Sequence, residues 1–126
     1  MSTTTSAATI GVPGAGDELA ARLTEGLAAV DVRLREVVKH DDPFIAEAST
    51  HLVDAGGKRF RPMLTLLASE LGEGRNSQVV DAAVGVELTH LASLYHDDVM
   101  DEADKRRGVT SANAAYGNST AILVGD

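Results

Sequence analysis

The chain has 126 residues, 44% of them apolar and 24% charged, enough for one modest core and far from the composition of a disordered segment. Its formal charge of -8 and its few aromatic residues, Phe44, Phe60, Tyr95 and Tyr116, argue against a nucleic-acid binder, which spreads Lys and Arg over one face and stacks bases on rings. Cysteine is absent, so there is neither a disulfide framework nor a thiolate metal site, and any metal must be held by oxygen or imidazole.

Residues 1–16 are rich in Ser, Thr, Ala and Gly, without the basic start or apolar run of a secretion signal, and read as a flexible tail. Residues 17–126 read as one helical unit. In 17–39 the apolar residues Leu19, Leu23, Leu27, Val30, Leu34 and Val37 recur at steps of four and three, the period of an amphipathic helix. Asp42 followed by Pro43 predicts an N-cap with proline in the first helical position, and Ile45, Ala48, Leu52 and Ala55 repeat on one face until Gly56 and Gly57 stop the helix. Arg61-Pro62 restarts a helix that carries Met63, Leu64, Leu67 and Leu71 and ends at the glycines of 72–74. Asn76 is placed to cap a long helix over 77–101, with Val80, Val84, Leu88, Leu91 and Tyr95 as its buried stripe. A charged loop, 102–108, leads to Ser111, a cap for the short segment 112–116. Gly117 breaks that segment, and 119–126 begins another apolar pattern that stops without a C-terminal cap, as if the chain were cut. No strand-like alternation is visible, so the expected fold is all-α. No stretch reaches the ~20 apolar residues that cross a bilayer, so a cytoplasmic protein is expected, with peripheral membrane contact left open.

Two charge clusters carry the chemistry. The long helix ends in His96-Asp97-Asp98-Val99-Met100-Asp101, and at 100° per residue Asp97 and Asp101 lie about 40° apart, one turn from each other. Magnesium is usually held by one or two carboxylates with water and substrate phosphates, so this pair is a candidate site; a solvated acidic helix end reads equally well from the string alone. Acid there also opposes the helix dipole, which calls for a nearby cation. The second cluster is Gly56-Gly57-Lys58-Arg59-Phe60-Arg61-Pro62, where glycines free the backbone, cations follow, and a helix N-terminus begins. It suits a phosphate group, and by itself it would serve as well for a basic surface turn. His90, about 20° around the helix from Asp97 and ~10 Å below it, could reach the same ligand. Lys105, Arg106 and Arg107 follow the aspartates directly.

In this order and spacing, GGKRFRP and HLASLYHDDVMDEADKRRG resemble the trans-type (all-E) isoprenyl diphosphate synthases, from about Leu27 to the last residue. The resemblance implies the N-terminal part of an all-α isoprenoid synthase bundle, magnesium as cofactor, isopentenyl diphosphate and an allylic diphosphate as substrates, and a homodimer or other homo-oligomer. Carried over by position, Asp97 and Asp101 would bind the magnesium ions, Asp98 would support that site, and Arg106 would contact the allylic diphosphate. Lys58, Arg61, His90 and Arg107 would hold isopentenyl diphosphate. Val86, Thr89, Ala92 and Ser93, on the helix before the aspartates, would set chain length, and the small size of Ala92 and Ser93 points to a medium- or long-chain polyprenyl product. The family's second aspartate-rich motif is not found in the 126 residues. Two readings follow: an N-terminal portion of such an enzyme, inactive alone, or a non-catalytic helical module derived from one. A class I terpene cyclase shares the aspartate string but has no second diphosphate to bind, and so no use for the cationic turn.

Overall fold

The computed structural model describes residues 16–55, 57–106 and 108–126. Nearly all of the expected tail, together with Gly56, Arg107 and the side chain of Leu52, lies outside the described residues. Those described form α1 (Asp17–Val37), α2 (Pro43–Ala55), α3 (Phe60–Ser69), α4 (Ser77–Met100), β1 (Lys105–Arg106), β2 (Val109–Thr110), α5 (Ala112–Tyr116) and α6 (Asn118–Gly125).

Local chemistry sets the boundaries. The Asp42 carboxylate accepts from the Phe44 N–H at 2.9 Å ahead of α2, the Asn76 side chain accepts from the Val79 N–H at 2.9 Å ahead of α4, and the Ser111 hydroxyl accepts from the Ala114 N–H at 3.3 Å ahead of α5. Helix α3 begins at Phe60, slightly earlier than the Arg61-Pro62 signal suggests. Pro62 still falls in the first turn, where N–H groups have no helical partner, so its missing donor costs nothing.

Helix α4 is the centre of the packing, in contact with α1, α3 and α6. The core joins Leu23, Val30 and Leu34 of α1, Val53 of α2, Met63 and Leu66 of α3, and Ala83, Val84, Leu91, Leu94 and Tyr95 of α4. The Tyr95 hydroxyl donates to the Ala48 carbonyl and so ties α4 to α2. Gly26 permits the close approach of α1 and α3, since a Cβ there would stand 2.9 Å from a Leu66 methyl.

Three stripe residues are not buried as expected. Leu71 is 93% exposed because α3 ends at Ser69 and the chain turns there, with the Gly74 N–H donating to the Ser69 carbonyl at 2.9 Å. Leu64 and Val37 are also exposed; α3 buries Pro62, Met63 and Leu66 instead. The charged loop contains a two-residue antiparallel ladder, Lys105 opposite Thr110 and Arg106 opposite Val109, too short to show as alternation. Among the described residues no helix is long and apolar enough to cross a membrane.

Candidate active site

The cationic turn joins α2 to α3. Gly57 takes φ 136°, a region closed to residues with a Cβ, and Arg59 takes φ 53°, ψ 39°, the left-handed conformation that few non-glycine residues adopt. The Arg59 guanidinium turns inward. It donates to the Glu87 carboxylate at 3.0 Å and to the Val53 carbonyl at 3.2 Å, and lies 3.6 Å from Asp31. Lys58 and Arg61 stay exposed, and no hydrogen bond or ion pair joins either side chain to another described residue. Lys58, Arg61 and His90, expected to act together, do meet: with Gly57, Arg59, Phe60 and Glu87 they line one cleft of 360 Å³.

At the far end of α4, the Asp101 N–H donates to the Asp97 carbonyl at 2.8 Å, so the two aspartates stand on successive turns, Asp97 half-buried and Asp101 exposed. Asp98 between them is fully buried. The Arg106 Nε donates to its two oxygens at 2.9 and 3.0 Å, and Nη2 adds a third bond. The hydrogen bond to Asp98 raises the Arg106 pKa, opposed by partial desolvation and aided by the charges of Asp98, Asp97 and Asp101. This guanidinium is the cation that the dipole argument calls for.

The helix closes in a Schellman motif, with the Ala103 N–H reaching the Asp98 carbonyl at 2.9 Å, the Glu102 N–H reaching Val99 at 3.2 Å, and Glu102 at φ 52° where glycine is usual. The loop beyond is held firmly. The Ala103 carbonyl accepts from the Ser111 hydroxyl at 2.7 Å and the Asn113 amide at 2.9 Å, and His51 Nε2 donates to the Thr110 carbonyl at 2.6 Å.

Neither Asp97 nor Asp101 is hydrogen bonded through its carboxylate to another described residue, and no group of three or more His, Asp or Glu among those residues could enclose a metal. Two open carboxylates fit magnesium, which completes its octahedron with water and phosphate, better than they fit a metal held by protein alone. On the same helix Val86, Thr89 and Ser93 are exposed and Ala92 half-buried. The Thr89 and Ser93 hydroxyls donate to the carbonyls of Gly85 and His90, so their bonding is met within the helix and the face carries no idle donor from them. Reasoning from sequence missed Glu87 and His51, the inward turn of Arg59, and the bond by which Ser111, foreseen only as a cap, holds the Ala103 carbonyl. Glu87 alone left a signal, an acid beside the apolar stripe of α4.

The sequence matches the family described as Polyprenyl synthetase over residues 42–126. The chain belongs to this family. Among curated family members it is 46% identical over 108 residues to a nonaprenyl diphosphate synthase of Mycobacterium tuberculosis, covering 85% of this chain and 32% of that protein. It is 43% identical over 103 residues to the octaprenyl diphosphate synthase of Escherichia coli, covering 81% and 32%. A solved decaprenyl diphosphate synthase of Rhodobacter capsulatus superposes with a TM-score of 0.79 at 46% identity, over 87% of this chain and 34% of that one. The chain thus spans about a third of the length of the relatives it matches, and its all-α architecture is that of the polyprenyl synthetases.

Proposed function

We propose that the chain supplies the diphosphate-gripping part of a prenyltransferase that joins isopentenyl diphosphate to an allylic diphosphate and builds a medium- or long-chain polyprenyl diphosphate. The observation that carries this reading is a cationic cleft lined by Lys58, Arg61 and His90 with two open carboxylates, Asp97 and Asp101, further along the same helix. His90 and Asp97 are ~10 Å apart along α4, a separation suited to two diphosphates whose hydrocarbon ends must meet. In this reading Lys58, Arg61 and His90 hold isopentenyl diphosphate, joined by Arg107. Asp97 and Asp101 hold magnesium, and Asp98 sets Arg106 beside the allylic diphosphate.

Bound magnesium would neutralise charge on the departing diphosphate. Arg106, already oriented by Asp98, adds a fixed positive charge there with no reorganisation. The allylic carbon–oxygen bond breaks with its electron pair leaving on diphosphate, the double bond of isopentenyl diphosphate supplies the pair for the new carbon–carbon bond, and a proton is lost from the adjacent carbon. Ser93, with Thr89 and Val86 beyond it, leaves the outer face of α4 open to a growing chain, whereas Ala92 lies on another side of the helix, beside Tyr95 and Val124. A homo-oligomer, as the resemblance implies, is part of this proposal.

The test is a chimera in which residues 17–126 replace the matching segment of the Escherichia coli octaprenyl diphosphate synthase. It is expected to make polyprenyl diphosphate and to lose turnover about 10²- to 10³-fold on Asp97→Asn or Asp101→Asn. Lys58→Ala should raise KM for isopentenyl diphosphate more than for the allylic partner. A folded chimera that is inert, or one indifferent to both aspartate changes, would remove the reading.

A further inference from the structure

We infer that Arg59 is a positioning residue, whose guanidinium, pinned on Glu87, holds the cationic turn in the backbone shape that sends Lys58 and Arg61 into their cleft. The inference rests on the proposed reading of that cleft as a diphosphate site.

Two independent observations meet at this residue. Its backbone lies in the left-handed region, unfavourable for any side chain with a Cβ, at the point where the chain reverses between Lys58 and Arg61. Its side chain, 11% exposed, bonds Glu87 of α4 and the Val53 carbonyl of α2, and stands near Asp31 of α1. A turn that needed only a left-handed residue would be served better by glycine. Arg59 borders the cleft too, but its guanidinium is bonded to Glu87 and the Val53 carbonyl, whereas Lys58 and Arg61 stand outward. The planar fork of an arginine can satisfy several partners at once, which the point charge of a lysine does less well. Glu87, 4% exposed at the side chain, lines the same cleft as Lys58 and Arg61. Its carboxylate is unsuited to an anion site unless a cation is bound to it, so the pin also removes a repulsive charge from the wall.

The test uses the 126-residue chain and inorganic diphosphate as the probe. Amide hydrogen exchange over residues 58–63, thermal melting, circular dichroism and titration calorimetry are compared for wild type, Arg59→Gly, Arg59→Lys and the double variant Arg59→Met with Glu87→Met. Arg59→Gly keeps the backbone conformation accessible, at less strain, and removes the pin. We expect it to exchange faster and to bind diphosphate about tenfold more weakly, within what a small misplacement of binding groups costs. Arg59→Lys should recover part of the affinity. The double variant replaces the buried pair with apolar bulk, so its melting point should return toward wild type while its affinity stays low. Wild-type affinity in Arg59→Gly, or in the double variant, would overturn the role of Arg59 alone. A wild-type chain that binds no diphosphate would instead overturn the reading of the cleft.

Discussion

At the cationic turn one of three cations, Arg59, is drawn inward onto Glu87, and at the end of α4 one of three carboxylates, Asp98, is drawn inward onto Arg106. In each cluster the other two charges, Lys58 with Arg61 and Asp97 with Asp101, stay accessible. Each cluster also has one non-glycine residue at positive φ, Arg59 in the first and Glu102 in the second. The clusters differ in how these parts are combined. At the turn the strained residue and the pinned residue are the same, so backbone and side chain depend on each other. At the helix end the strain sits on exposed Glu102 and the pin on buried Asp98, and the two are separable. Two like charges 4 Å apart cost about 4 kcal/mol at an effective dielectric near 20, so three cannot be presented together cheaply. Withdrawing one onto an opposite charge leaves a pair spaced for a ligand.

The largest expected effect is at the acidic end. Arg106→Ala leaves a fully buried carboxylate without its partner and should cost about 3 to 5 kcal/mol in chemical denaturation. Asp98→Ala should cost less, since the Arg106 side chain is already 25% exposed and can turn to water. The guanidinium pKa is raised above the ordinary arginine range, so its contribution is whole at every pH below that range and is lost only as pH climbs through the folded value. Equal losses from the two variants would mean that the pair is not buried from one side only, and the contrast in exposure would fall.

The difference between separable and combined parts gives opposite signs for one substitution. Glu102→Gly should stabilise the chain by about 0.5 kcal/mol, the low end of left-handed strain less the entropy glycine adds to the unfolded chain. Arg59→Gly relieves the same strain but abandons buried Glu87, and should destabilise by about 2 kcal/mol net. Thermal melts of the two variants side by side decide the matter. Changes of the same sign would show that the turn and the helix end are not built differently.

Much of this was legible in the sequence wherever the signal is local. Asp42, Asn76 and Ser111 are caps whose chemistry depends on the next three residues, and each helix they predict is present. The meeting of Lys58, Arg61 and His90 was legible for another reason, a resemblance that supplied the long-range pairing periodicity cannot give. What could not be read was which charge of each cluster turns inward. Arg59 and Arg61 are alike in a string, and the choice between them is made by Glu87, 28 residues away. The burial of Asp98 likewise depends on a loop held by Ser111, Asn113 and His51. Leu71 misled because its period continued past the turn at which α3 ends.

The smallest expected effect separates an accessible carboxylate that waits for an ion from one that caps a helix. Asp101 is the C-cap of α4, exposed at the negative end of the dipole and one turn from Asp97. Without magnesium, Asp101→Asn should therefore stabilise the chain by ~0.3 kcal/mol, the low end of the dipole range, because Arg106 already offsets part of the charge. Added salt should shrink the gain by screening. With magnesium and inorganic diphosphate the order should reverse, since an ion that binds only the folded chain stabilises wild type more than a variant lacking one of its ligands. Melting curves at low ionic strength, in chelator and then in magnesium with diphosphate, would cross. If Asp101→Asn is the less stable chain even in chelator, its carboxylate supports the helix end as Asp98 does. The acidic cluster would then present one open charge where the cationic turn presents two.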